Sequence, residues 1–159
     1  MSTSRFQLGP LHLCDYLIRS DVGISCIALE IAPGYSNPGS DARDLFDFSR
    51  LLDLYSLLNV PLNVTLVAPS SAAADPNADP NVKVEEWQWP GPPTEASQAD
   101  WAARWTALAI AKPFVRAVNW LQPSDGVPHL YPNGGLHRAD GAPKAAVARL
   151  RTLRGDSLA

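Results

Sequence analysis

The chain has 159 residues, 46% of them hydrophobic and 18% charged, which is ordinary for one globular domain with a real core. Thirteen Lys and Arg against 16 Asp and Glu give a net charge of -3, so the basic footprint of a nucleic-acid binder is missing. No apolar run approaches the ~20 residues of a membrane span, no charged n-region with a long apolar core opens the chain, and the two cysteines, Cys14 and Cys26, have no Cys or His at metal spacing and read as buried thiols.

In chain order, Pro10 to Ser20 reads as a short helix, with Leu11, Cys14, Leu17 and Ile18 at helical spacing and Pro10 in the first turn. Ile24 to Ile31 is a compact, β-rich run. Ser40 is the expected N-cap of the next helix, whose stripe is Leu45, Phe48, Leu51, Leu52, Tyr55 and Leu58. Asn59-Val60-Pro61 ends that helix, and Leu62 to Ala68 is the second strand. Residues 69–93 form a polar, Pro-rich loop carrying Trp87 and Trp89, and a loop of that length is usually functional or disordered. Thr94 caps a helix running to about Lys112, with Trp101 and Trp105 expected in the core. Val115 to Leu121 is the third strand. An irregular loop with Asp125, His129 and Tyr131 follows, and a helix from Pro143 to about Arg154 closes the chain.

Strands alternating with amphipathic helices predict parallel βαβ units and an α/β class. Connections are short before each strand and long after the second and third, which places working loops at the C-terminal strand ends, as in a barrel enzyme. An open doubly wound sheet would share that asymmetry, but no G-x-G-x-x-G or P-loop follows any strand.

The segment AKPFVRAVNWLQPSDGVPHLYPNGGLHRADGAPKAAVARLRTLR resembles the end of glycoside hydrolase family 10, the endo-1,4-β-xylanases. Gly135, Leu136, Asp140, Gly141, Pro143, Lys144 and Ala146 match that family's G-L-x-x-x-D-G-x-P-K-x-A turn. The upstream segments are similar to its sixth and seventh strands. The resemblance implies a partial (β/α)8 TIM barrel, about strands six to eight, in a single domain over residues 1–159; a full barrel takes roughly 250 residues. It also implies hydrolysis or binding of a xylan-like β-1,4-glycan, with no cofactor, no metal, no nucleic acid and no membrane.

The departures from the family pattern fall at the reaction centre. The acid/base Glu of such barrels lies on the fourth strand, which has no counterpart in this sequence. In Asn63-Val64-Thr65-Leu66-Val67, Leu66 stands where the nucleophile Glu is expected. In Ala28-Leu29-Glu30-Ile31-Ala32, Glu30 replaces a Gln and Ala32 a His. Glu30 is thus the candidate catalytic residue, as a substitute acid or a hydroxyl ligand; its structural alternative is a carboxylate paired with an Arg or exposed at an edge. Tyr35, Trp87, Trp89 and Trp120 are candidate sugar platforms, since sugar rings present apolar faces. Asp125 is a candidate hydroxyl ligand or loop cap. The expectations are a glycosidase-like chain impaired in catalysis or, alternatively, a non-catalytic carbohydrate-binding or structural module. Its open strand edges predict self-association or an N-terminal half-barrel partner.

Overall fold

The computed structural model describes residues 9–85 and 91–156. Four helices alternate with three strands: α1 (Pro10–Arg19), β1 (Ile27–Ile31), α2 (Leu45–Ser56), β2 (Leu62–Leu66), α3 (Glu95–Ile110), β3 (Val115–Trp120) and α4 (Ala145–Asp156). The strands form one parallel sheet in the order β1-β2-β3, so β1 and β3 are its edges. This is the α/β arrangement of a partial TIM barrel. Among the described residues no helix is long and apolar enough to cross a membrane.

The helix periodicity places the elements correctly, and local chemistry adjusts their ends. Thr94 caps α3 through a reciprocal capping box: its hydroxyl accepts from the Ser97 N–H at 3.1 Å, and the Ser97 hydroxyl accepts from the Thr94 N–H at 2.8 Å. The cap of α2 is Asp44, not Ser40: Asp44 accepts from the Asp47 N–H at 2.7 Å, whereas the Ser40 hydroxyl accepts from the Ala32 N–H at 2.8 Å and ties the β1 exit instead. β1 starts at Ile27, where its N–H bonds the Pro61 carbonyl, rather than at Ile24. Cys14 and Cys26 are free and only half-buried.

The core lies between the sheet and its helices. Phe48 and Leu52 of α2, Leu62, Val64 and Leu66 of β2, and Trp101 and Trp105 of α3 fill it. The two tryptophan rings stack 5.1 Å apart, which fits their expected core role. α1 contributes Leu11, Cys14 and Ile18 to this core but has no fully buried residue.

Candidate functional site

Side chains alternate across a strand, so the sheet has a helix side and an opposite side that corresponds to a barrel interior. In β2, Leu62, Val64 and Leu66 are fully buried on the helix side, while Asn63 and Thr65 lie on the inner side. Leu66 therefore does not occupy a cleft position. It packs with Phe48, Leu52 and Trp101, so a carboxylate there would be driven into the apolar core. The reading of Leu66 as the nucleophile position is corrected: Thr65, not Leu66, looks into the inner face.

The register aligns Glu30, Thr65 and Asn119 in one row across the three strands, with Ala28, Asn63 and Ala117 in the row below. β3 joins these rows because of an irregularity at its start. Leu62 pairs with Val115 and Asn63 with Ala117, which makes Arg116 an extra residue. That insertion reverses the phase of β3 and puts Val118 and Trp120 on the helix side. Trp120 packs edge-on to Trp101 with centroids 6.2 Å apart, and its indole N–H donates to the Gly134 carbonyl at 2.8 Å. Trp120 is thus a packing residue and not an inner-face sugar platform.

Glu30 is exposed on β1 near its C-terminal end, so it is not desolvated among apolar strand neighbours. Its Oε1 accepts from the Tyr131 hydroxyl at 2.6 Å. Tyr131 comes from the loop after β3 and is itself fully buried. Burial, the hydrogen bond to Glu30 and that carboxylate's charge push the Tyr131 phenol well above its ordinary value, so it remains a donor. Tyr35 backs it, with ring centroids 4.7 Å apart, and donates to the Pro132 carbonyl at 3.1 Å. At 1% exposure Tyr35 offers no face to a sugar, so the platform expected there is instead a support under Tyr131. Trp87 and Trp89 lie outside the described residues.

Behind this pair, the loops after β2 and β3 are locked together. Lys144 donates to Asp125 Oδ2 at 2.5 Å, to the Ser70 hydroxyl at 2.8 Å and to the Asn133 carbonyl at 3.1 Å. Asp125 Oδ1 accepts from the Gly135 N–H at 2.7 Å. A Cβ at Gly135 would lie 2.5 Å from that same carboxylate oxygen, so the match to the family turn here has a steric basis. Asp125 thus serves as the buried counter-ion of Lys144, which is the loop-tying role and not that of a hydroxyl ligand. The Ser70–Lys144 contact is no nucleophile–base pair, because all three ammonium protons are engaged.

Asp75 and His129 form a second buried pair at 2.9 Å. Burial opposes the charge on Asp75, but hydrogen bonds from the Asn133 N–H, the His129 ring and the Asn77 N–H outweigh it and hold the carboxyl below its usual range. The other His129 nitrogen faces the Val127 carbonyl at 2.7 Å. Asp75, Asp125 and His129 present ligand atoms within 4.8 Å of one another, a grouping that sequence spacing hid. Each carboxylate there already has a partner within the protein, Lys144 for Asp125 and His129 for Asp75.

Chemically, the three strands carry one carboxylate, Glu30. Retaining glycoside hydrolysis requires two carboxyl groups about 5–5.5 Å apart, one as acid/base and one as nucleophile. The inner face can therefore hydrogen-bond a polyol through Glu30, Thr65 and Asn119, but its strands lack the second carboxyl of that mechanism.

No family model matches the chain, and no curated protein matches its sequence. Solved structures do. Xylanase 10B from Thermotoga maritima aligns at 17% identity and TM-score 0.61 over 92% of this chain and 41% of its own. A β-glucuronidase from Faecalibacterium prausnitzii aligns at 15% identity and TM-score 0.58 over 84% of this chain and 22% of its own. An endo-β-1,3-glucanase from Amycolatopsis mediterranei, in complex with laminaripentaose, aligns at 16% identity and TM-score 0.55 over 87% of this chain and 48% of its own. The chain spans less than half the length of each of these proteins. Its three strands and four helices have a glycoside-hydrolase-like fold, that of a partial glycosidase barrel similar to the family 10 xylanases.

Proposed function

We propose that this chain forms one side of a β-glycan cleft and binds the glycan without hydrolysing it. The observation that carries this reading is Glu30: its carboxylate stands exposed on the inner face, in one row with Thr65 and Asn119, and is held by a hydroxyl anchored in the protein. A carboxylate, a hydroxyl and an amide in a row are suited to successive sugar hydroxyls, and a buried Tyr131 fixes the first of them before ligand arrives. The lone strand carboxylate supports binding over hydrolysis. The similar folds belong to a xylanase and to a β-1,3-glucanase complexed with laminaripentaose, which suggests β-linked xylan or glucan as the ligand class.

Calorimetric titration of the purified chain with xylohexaose and laminarihexaose tests this, beside reducing-sugar release from xylan and mixed β-glucan. The expected result is saturable binding of at least one oligosaccharide, weakened about tenfold in Glu30→Gln, corresponding to about 1.4 kcal/mol, with no sugar release. Absence of binding in a protein that melts cooperatively would refute the cleft. Turnover that vanishes in Glu30→Gln would refute the non-hydrolytic half and make Glu30 a catalytic residue.

A further inference from the structure

Among the described residues the sheet ends at two unpaired edges, and the surfaces beside them differ. Next to β3 lies an open apolar cavity of about 500 Å³, lined by Ile110 of α3, Val118 and Trp120 of β3, and Leu150, Leu153 and Arg154 of α4. Preceding β1 in the chain is α1, whose inner face is apolar and whose outer face mixes apolar side chains with His12 and the Asp15–Arg19 ion pair. Leu11, Cys14 and Ile18 turn to the core, while Leu13 and Tyr16 point outward at 48% and 64% exposure. Val22 and Ile24, in the connection to β1, are exposed as well. Exposed apolar side chains beside an open strand edge mark an association site.

The charges are complementary. The segment from Pro10 to Ile24 holds Asp15 and Asp21 against Arg19 alone. β3 and α4 together hold Arg116, Arg149, Arg151 and Arg154 against one carboxylate. Two β3 flanks brought together would set arginines against arginines, whereas a β1 flank meeting a β3 flank joins opposite signs. The same pairing continues the sheet in parallel, the sense in which all three strands already run.

We propose that copies of this chain associate head to tail, the β1 flank and outer α1 face of one copy seated in the β3 groove of the next. Such a contact is heterologous, using a different surface on each copy, so it propagates beyond two chains unless it closes into a ring. The groove shares Asn119 with the inner-face row, but the association itself does not require bound glycan.

Light scattering behind a sizing column, run across about a hundredfold range of concentration, tests the proposal. Average mass is expected to rise with concentration past two chains and to fall when salt is raised from about 50 mM to 0.5 M. Ile110→Asp spoils only the groove and Leu13→Asp only the outer α1 face. Both sites are exposed, so each variant is expected to melt like the parent yet run as a monomer. An equimolar mixture of the two variants retains one intact surface on each partner and is expected to stop at a dimer. A parent that is monomeric throughout while melting cooperatively overturns the proposal, as does self-association untouched by both substitutions. Variants that fail singly and do not recover on mixing also overturn it, because that pattern belongs to a symmetric contact.

Discussion

The Tyr131 hydroxyl reaches Glu30 at 2.6 Å across 101 residues of sequence and couples the last loop of the chain to its first strand. The buried end of this pair is rigid and the exposed end is polar, which is how a binding group is held without being desolvated. Tyr131→Phe deletes only the donor. A hydrogen bond to a charged acceptor is worth about 1.5–3 kcal/mol, and the exposure of Glu30 places this one at the low end. Oligosaccharide affinity is expected to fall several-fold while the melting temperature moves by a few degrees at most. An unchanged affinity would separate Tyr131 from binding.

Phenolic titration provides an independent check on these packed rings. Burial leads the upward shift in Tyr35, Tyr55 and Tyr131 alike, against an ordinary value of 10.0. Tyrosinate absorbance in the folded chain is expected to remain incomplete above pH 10 and to reach completion only as the protein unfolds. Full reversible ionisation near the ordinary value, with the fold intact by circular dichroism, would contradict the burial of Tyr131.

Leu66→Glu and Thr65→Glu distinguish the two sides of β2. Leu66 is fully buried on the helix side, so an ionised Glu there lacks both solvent and a partner and is expected to cost about 4 kcal/mol or more, enough to abolish cooperative folding. Thr65 is half-buried on the inner face, and Thr65→Glu is expected to cost about 1 kcal/mol. Urea denaturation of both variants measures the difference. Equal stabilities would mean that the strand faces are misassigned.

Lys144→Met leaves Asp125 ionised and buried, a change that typically costs about 3–5 kcal/mol. The double variant with Asp125→Leu is expected to recover part of that loss, since apolar replacement of a buried pair removes the stranded charge. Additive costs in that cycle would show the pair to be uncoupled.

Acid stability depends on Asp75. Its carboxyl is held below the usual range in the folded chain, so its contribution is fully present above the unfolded value near 3.9 and is lost as pH falls through the lower folded value. Glu95, held low by the Arg138 hydrogen bond, acts in the same sense. Urea midpoints for the parent and Asp75→Asn are therefore expected to differ most at neutral pH and to converge as the pH falls through the folded-state value. A gap that widens in acid would reverse the assignment.

The residues that sequence placed correctly are those whose neighbours are local. Thr94 and Ser97 form a cap within one turn, and Trp101 and Trp105 share a helix face at spacing four. The sheet faces were misjudged for a local reason too. Leu-Asn-Val-Thr-Leu alternates, so Leu66 shares a side with Leu62 and Val64, and the family motif aligned on this strand is one residue out of phase with its faces. Trp120 was harder, because the extra Arg116 reverses the phase of β3 and no pattern in Val-Arg-Ala-Val-Asn-Trp signals it. The pairs Glu30–Tyr131, Asp75–His129 and Asp125–Lys144 become neighbours only through tertiary structure.

The loops that follow the three strands are stitched to one another. The Ser36 N–H bonds the Lys83 carbonyl, the Asp79 N–H bonds the His129 carbonyl, and the Ser70 N–H bonds the Asn133 carbonyl. The rim at the C-terminal strand ends is consequently assembled by a contiguous stretch of 115 residues, from Glu30 to Lys144. A genetic rearrangement that moves this stretch moves its rim geometry intact, so a wedge of this kind can be inherited as a cassette and grafted between barrels without the binding edge having to be reinvented.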